Sequence, residues 1–384
     1  MQRKVILFCA GWVFAFFFQT SFSHAAGAAA DSPIRVLVAE NQKSIVLSAH
    51  GDYQIAVLPS LKVVKKGTQL KNVSVSSKPG TIRLGNEEWP ASGLRIQVSE
   101  DNSLFIHKSR FRGSLDILKN SQQSTFYVIN RLPIESYLYG VLHHEVSPWW
   151  PMEALKAQAI AARTYAYYQA QVSRAAEYDV KSSTSSQVYG GSTTERFRTK
   201  RAVDLTNGKI LTYQSKVFPA YFHATCAGLT AAADELWKIR LKPLSGGAKC
   251  DSCRISPHYR WQIRLPLAEI EEKMVKYGRP VGRILKLEVI TQTPSHRVGS
   301  LKITGVDGEA VVAAKDFRVW IGGDRMRSTN LTVTIRDDFA KFEGKGWGHG
   351  VGLCQWGTLG QALVGRKSTE ILQFYYPEAS IIDL

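Results

Sequence analysis

The sequence predicts an α+β protein: a largely β scaffold of short strands around one long central helix at about 151–174, with a catalytic loop in front of that helix. Three observations carry this. Pro151 suits a first helical turn, where its missing N–H is not needed, and Met152 to Arg163 are nearly all strong helix formers. Between Ile34 and Ile129, short β-rich runs alternate apolar and polar residues between turn signals such as Pro79-Gly80 and Gly85-Asn86. From Gly344 to Gly352 glycine takes every second position. In a strand that leaves one face bare, so another backbone or a ligand must approach it closely.

Taken in order, residues 1–25 read as a secretory signal. Arg3 and Lys4 open it, Val5 to Phe18 is mostly apolar, and Ser23 and Ala25 are the small residues a signal peptidase reads. The run is short and Gln19, Thr20 and Ser21 follow it, which favours cleavage over a retained anchor. No later stretch reaches ~18 apolar residues, so the mature chain is expected to have no transmembrane span. Residues 33–130 form an N-terminal β section and 131–260 a core section built on the long helix. Residues 261–384 form a C-terminal α/β section that returns the glycine-rich strand to the site, and 33–384 together make one unit.

Ile134, Leu138 and Val141 recur at helical spacing, in a helix that ends near Leu142. Alanines 154, 157 and 161 put a small-residue stripe on the long helix, so a partner element can come close. Gln187 and Tyr189 alternate around Val188 as in a short strand. A helix is expected from about 192 to 205, stopped by Asn207-Gly208. A hairpin follows over 209–213 and 217–223, then a short helical turn over 231–237. Further on come helices at 266–277 and 314–321 and strands at 284–290 and 300–303.

Net charge is +17, and Arg3 and Lys4 leave with the signal, so +15 remains on about 359 residues. A basic exported protein meets a polyanion, here anionic lipid or cell wall. The charge lies in scattered pairs such as Lys65-Lys66 and Lys200-Arg201, and no basic helix has nucleic-acid motif spacing, so no nucleic acid is expected. Exported to the periplasm or to the cell wall and beyond, the chain keeps four of its five cysteines, Cys226, Cys250, Cys253 and Cys354.

Candidate chemistry falls in four segments: 143–150, 185–191, 223–258 and 345–355. In the first, Glu145 follows His143 and His144 and precedes Trp149 and Trp150. An acid wrapped in aromatics is a group whose pKa can rise into the range useful for proton transfer. Arg110-Phe111-Arg112 reads as a strand rim.

Four stretches in order resemble one family. GVLHHEVSPWWPMEALKAQAIAARTYA, SSQVYGG at 185–191, YFHATCAGLTAAADELW at 221–237 and GKGWGHGVGLCQWGTLGQAL at 344–363 are similar to the segments of the stage II sporulation protein D/LytB (SpoIID/LytB) family. The likeness runs from about Ile34 to Tyr376. It departs at Ala227, where the family often has Gly, and at Thr358, where it often has Ala. The family includes lytic transglycosylases that cut peptidoglycan strands lacking stem peptides, and proteins described as amidase enhancers. The resemblance implies that Glu145 is the catalytic acid. It would cleave the bond between N-acetylmuramic acid and N-acetylglucosamine, then act as base to close a 1,6-anhydro ring. No water enters, so no second carboxylate is needed. Glu135, ten residues earlier, lies ~280° around a continuous helix and is no partner.

Trp149, Trp150, Tyr189 and Trp347 are candidates to stack on sugars, with Gln187, His349 and Gln355 as polar contacts. Expected partners are the glycan strands and an amidase or other wall hydrolase. The alternative function is a non-catalytic wall protein that stimulates an amidase. His223-x-x-Cys226, Cys250-x-x-Cys253 and Cys354 offer four of five ligands for a structural Zn²⁺, with His258 in reserve. Disulfides such as Cys226–Cys354 are the other reading in an oxidising compartment.

Overall fold

The computed structural model describes residues 33–99, 102–120 and 124–384. The signal sequence read over 1–25 lies outside them. The fold is α+β and dominated by strands, with 26% helix and 40% strand.

An eleven-stranded sheet opens the fold. Residues 34–132 supply ten strands, and Val180–Lys181 adds a short parallel one beside Ile34–Gln42. Not all are short. Ser44–Leu58 and Lys62–Lys78 run 15 and 17 residues and pair along most of their length. Their register shifts at Leu47/Ala49, His50/Tyr53 and Ile55/Ala56. Each bulge breaks the two-residue alternation, so one long bent strand reads in sequence as several short ones.

Seven helices follow among the described residues: α1 (Ile134–Glu145), α2 (Met152–Val172), α3 (Phe197–Asp204), α4 (Leu267–Lys276), α5 (Ala314–Ile321), α6 (Gln355–Leu363) and α7 (Ser368–Tyr375). The helix expected over 192–205 splits into a 3₁₀ turn, Gly191–Thr194, and α3. In the expected hairpin only Lys216–Val217 pairs back, while Phe222–His223 leaves to lie parallel to Leu353–Cys354. The glycine run is not a flat strand either. Regular pairing ends at Lys345, and Gly346, Gly348, Gly350 and Gly352 take φ between +69° and +102°. A Cβ at these four would meet Thr225 O, His223 Cβ, the Arg297 guanidinium and Tyr221 O at 2.0–2.8 Å. The bare face is therefore filled by protein, chiefly the 221–225 segment.

Helix α2 is buried nearly all round, because it lies between two cores. Leu155, Ala159, Ala162 and Ala166 face the core of the large sheet. Ala157, Ile160 and Ala161 face a second core shared with α6, α7 and the four cysteines. Small side chains let both cores close on one helix. A third core, from Trp261 to Phe342, joins the remaining strands with α4 and α5.

One cation crosses this packing. Arg163 on α2 is fully buried, and its guanidinium grips Glu135 of α1 by two 2.7 Å bonds. It also donates to the carbonyls of Val203 and Lys209. Truncating one partner strands the other and leaves those carbonyls unpaired. Arg163→Leu is expected to lower unfolding free energy by about 3–5 kcal/mol in a urea titration. A change under ~1 kcal/mol would show that the pair adds little.

Candidate active site

Glu145 is the last residue of α1, three residues beyond the expected helix end. The helix closes at Val146, and Pro148 begins a tight connection to α2. Arg198 of α3 holds that connection by donating to the carbonyls of Pro148 and Trp150 at 2.8 and 3.0 Å. A carboxylate at a helix C-terminus faces the negative end of the macrodipole. Burial pushes the Glu145 carboxyl up to about 7. Two donors hold it and pull partly the other way: Gln355 Nε2, at 3.1 Å from Oε2, and the Val188 backbone N–H. No second acid acts on it among the described residues. Glu135, the nearest acid earlier in the chain, is occupied by Arg163.

Gln355 is delivered from 210 residues away. The parallel pair Phe222–His223/Leu353–Cys354 sets the end of the strand, and Trp356 N–H donates to Ala224 O at 3.0 Å. Cys354 caps α6, its sulfur accepting from Gly357 N–H, so Gln355 is fixed in the first helical turn.

Two aromatic walls stand around this point. One runs Trp150–Trp356–His258–Trp347, with ring centroids 5.5, 6.2 and 4.5 Å apart, and Arg327 lies over Trp347 at 5.1 Å. The other joins Tyr165, Tyr221, Trp237 and His349: Tyr221 stacks on Trp237 at 4.5 Å, and His349 stands edge-on to Trp237 at 5.2 Å. His349 Nδ1 accepts from Val351 N–H at 3.1 Å. Burial, with Arg297 and Arg318 nearby, holds its pKa near 3, so it is neutral. Trp149 is 83% exposed at the turn before α2.

The structure thus brings Gln355 to Glu145 and places Trp150 and Trp347 in one wall and His349 in the other. Gln187 and Tyr189 are corrected. No strand forms there, and both side chains point into the core. Gln187 accepts from Tyr137 OH and donates to Ala162 O, and the Tyr189 OH donates to Asn130. Gly140 of α1 has no room for a Cβ against the Tyr189 ring. Anchored on both sides, Val188 aims its N–H at Glu145. The two residues position a donor and do not line the site. Tyr165, Tyr221, Trp237 and Trp356 escaped sequence reasoning as site rings, since an isolated aromatic reads equally well as core. Arg112 pairs with Glu195, as a strand rim would.

Cys226, Cys250, Cys253 and Cys354 bring four sulfurs within 4.8 Å of one another, all buried and none disulfide-bonded. His223 stands apart: it contacts Val351 O through Nδ1 at 3.1 Å and lies outside the cluster. His258 faces Arg327 and Trp347 instead. The sulfurs of Cys226 and Cys253 are 3.6 Å apart, against about 3.8 Å along the edge of a Zn–S tetrahedron with 2.3 Å bonds. Backbone N–H groups of Cys226 and Gly357 point at Cys354 Sγ at 3.3 Å, and Tyr375 OH lies 3.0 Å from Cys250 Sγ. Donors aimed at sulfur suit thiolates. Gly357 must lack a side chain, since a Cβ would sit 2.3 Å from Cys250 Sγ. The residues therefore fit a tetrahedral metal ion. Ala227, beside the cluster, takes φ 68°, the left-handed conformation that explains a glycine at this place in similar chains.

Comparison with known proteins finds similar chains along most of the sequence. The family "Stage II sporulation protein" (SpoIID) matches residues 122–213, and a domain of unknown function (DUF8618) matches 247–352. An uncharacterized protein of Brachyspira hyodysenteriae is 38% identical over 67% of this chain and 69% of its own length. Stage II sporulation protein D of Bacillus subtilis is 28% identical over 70% of this chain and 78% of its own. The amidase enhancer of Bacillus subtilis is 26% identical over 81% of this chain, which spans about half (49%) of that protein.

Proposed function

The chain belongs to the SpoIID family, and on that premise we propose that it is an exported peptidoglycan lytic transglycosylase. Its site is the periplasm or the wall, where a chain of net charge +15 without its signal meets an anionic polymer. The observation that carries the reading is the state of Glu145: one carboxyl, half-buried, titrating at about 7 and held by two donors. A group with that pKa is partly protonated near neutral pH and serves as acid and base in turn.

Protonated Glu145 gives its proton to the glycosidic oxygen between N-acetylmuramic acid and N-acetylglucosamine. The C–O bond breaks, the N-acetylglucosamine oxygen leaves as a hydroxyl, and an oxocarbenium-like centre forms at the muramoyl C1. The carboxylate then takes the proton of the muramoyl C6 hydroxyl, whose oxygen closes on C1. Glu145 ends protonated, as it began. Trp150, Trp347, Tyr221 and Trp237 offer ring faces for sugars. The four cysteines would hold a structural Zn²⁺ in this reading, tying Cys354, the residue before Gln355, to the 226–253 segment.

Digestion of peptide-free glycan strands, followed by mass analysis for 1,6-anhydromuramoyl ends, tests the proposal. Absence of such ends after incubation with folded protein would overturn it. Gln355→Leu refines the test. Gln355 donates to the carboxylate and so favours its charged form. Without it the Glu145 pKa rises, and the alkaline limb of kcat/KM moves to higher pH. An unmoved limb would assign that limb to another group. The likeness to an amidase enhancer across 81% of this chain supports a second reading, a glycan-binding protein that stimulates an amidase. In that case a Glu145→Gln variant would keep full stimulation of the amidase.

A further inference from the structure

Two arginines are buried completely among the described residues, Arg163 and Arg297. Each takes a charge out of water, which is costly unless partners replace the hydration. Arg163 has such partners: a carboxylate on two bonds, two carbonyls and a hydroxyl. Arg297 does not. It lies in the turn between the strands Ile284–Gln292 and Val298–Gly305, and its Nη1 donates to Gly348 O at 3.2 Å. Its Nε and Nη2 are buried without a hydrogen-bond partner. The neighbours do not supply an anion. His349 is held neutral near 3, and burial, with His349 and Arg297 alongside, keeps His223 neutral too. Glu235 acts on Arg297 without an ion pair, and its carboxylate already accepts from Ser295 Oγ and the Ala232 N–H.

The fold is nonetheless shaped to hold this guanidinium in place. A Cβ on Gly350 would come within 2.4 Å of Nη2 and 2.5 Å of Nε, so a glycine is required there. That seat runs on through Val351 and Leu353 to Cys354. Val351 is bridged to Ala231, and the Ala231 N–H donates to Gly350 O at 2.9 Å, which ties the seat to the segment that follows Cys226. Burial pulls Arg297 down to about 10, with the sulfurs of Cys226 and Cys354 acting the other way, so it stays charged at neutral pH. A divalent ion on the four thiolates would leave two negative charges in excess inside the second core. The N–H groups aimed at Cys354 Sγ carry no net charge. Lys249 and Arg254, beside two of the cysteines in sequence, are exposed, and Arg254 is paired with Asp251.

We propose that Arg297 is the counter-cation of the four-cysteine centre, a positioning residue that bonds to no sulfur and sets how tightly the centre holds its metal. The inference rests on the zinc reading and goes beyond it: the sulfurs supply the bonds, and a turn from the third core supplies the opposite charge. In the metal-free protein protonated thiols are neutral, and Arg297 is an uncompensated buried charge. In the loaded protein the two charges offset each other across a low-dielectric core. Arg297 therefore favours the loaded state over the empty one. A carboxylate paired with it would cancel this effect, and among the described residues none is.

The test is a zinc competition on the full chain against a chromophoric chelator, with wild type, Arg297→Gln, Arg297→Lys and Arg297→Met. Gln keeps a donor for Gly348 O and loses the charge, whereas Lys keeps the charge. Arg297→Gln is expected to weaken zinc binding by ~10–100-fold, the range for residues just outside a ligand shell, and Arg297→Lys by much less. The gap should persist at high salt, because buried charges are screened little. Cobalt(II) in place of zinc checks the ligation: every variant should keep the absorption of a tetrahedral four-thiolate site. Arg297→Met buries no charge, so in excess chelator it should melt no lower than wild type, while holding zinc as weakly as Arg297→Gln. Equal affinities for the Gln and Lys variants, or a Gln variant that binds as tightly as wild type, would overturn the inference. So would a lost four-thiolate absorption, or a metal-free Arg297→Met that melts below metal-free wild type, since either marks a merely structural arginine. If wild type binds no zinc, it is the zinc reading that fails, and this inference with it.

Discussion

Glu145→Gln is expected to yield a folded protein that has lost the proposed cleavage of glycan strands. In the proposed mechanism one carboxyl performs both proton transfers, so its loss removes the acid of the first step and the base of the second. A single general acid or base contributes about 10²–10⁴-fold, and the expected loss is at least ~10³-fold in the rate of 1,6-anhydromuramoyl ends. Wild-type rates in a purified variant would sink the assignment. The same variant has a distinct stability signature. The folded pKa of about 7 stands above the ordinary 4.5 of the free carboxyl. Between those values the folded state binds more protons than the unfolded state, so the Glu145 contribution to stability falls as pH rises through this window. Above pH 7 the buried charge costs about 3 kcal/mol relative to the unfolded chain. Gln carries no such cost. The variant should therefore match the wild type below pH ~4.5 and exceed it in denaturant midpoint above pH 7. A variant less stable at pH 8 than at pH 4, relative to wild type, would show that burial is not what raises this carboxyl.

Removing metal from the cysteine cluster is the second large effect. Native protein is expected to contain about one zinc per chain and no disulfide among Cys226, Cys250, Cys253 and Cys354. Structural zinc sites contribute on the order of 10 kcal/mol of apparent folding free energy. That is comparable with the ~5–15 kcal/mol net stability of a whole domain. Cys250→Ser, or a strong chelator under mild denaturation, should therefore melt the second core. The cluster is part of that core, together with Val351, Leu353, Leu372 and Tyr375. The readouts are metal content by atomic emission, thiol titration under native conditions, and thermal midpoint. A metal-free protein that keeps its melting point, or one whose four thiols are oxidised in pairs, would refute the zinc reading.

Local physics explains which parts of this molecule could be read from the chain. Helices α2, α4 and α5 were legible because proline starts, helix formers and periodic apolar positions agree. Glu145 stood out as a candidate in the chain, through its aromatic neighbours and the motifs that recur at a distance, and the structure places it against Gln355. What sequence could not show is orientation. Gln187 and Tyr189 carry the polar tips of a binding strand, yet they turn inward to Tyr137, Ala162 and Asn130, and only the backbone between them reaches Glu145. Likewise, alternating glycines suggest a bare strand face, while their positive φ values coil the segment against residues 221–225. Among five candidate ligands, spacing could not separate His223 from the cysteines, because the choice depends on Leu353–Cys354 lying parallel to Phe222–His223.

The long-range bond between Glu145 and Gln355 has a consequence for biosynthesis. The two residues are 210 positions apart. At ~5–20 residues per second, the ribosome makes the acid about 10–40 s before its hydrogen-bond donor. The same interval separates the large sheet and α1 from Cys354, the cysteine that completes the cluster. A nascent chain therefore carries Glu145 through most of its synthesis without the partner that seats it. The Glu145–Gln355 bond forms only after the glycine-rich segment has been made and packs against residues 221–225. Chains broken off before that point carry Glu145 without Gln355 and without the fourth cysteine, Cys354.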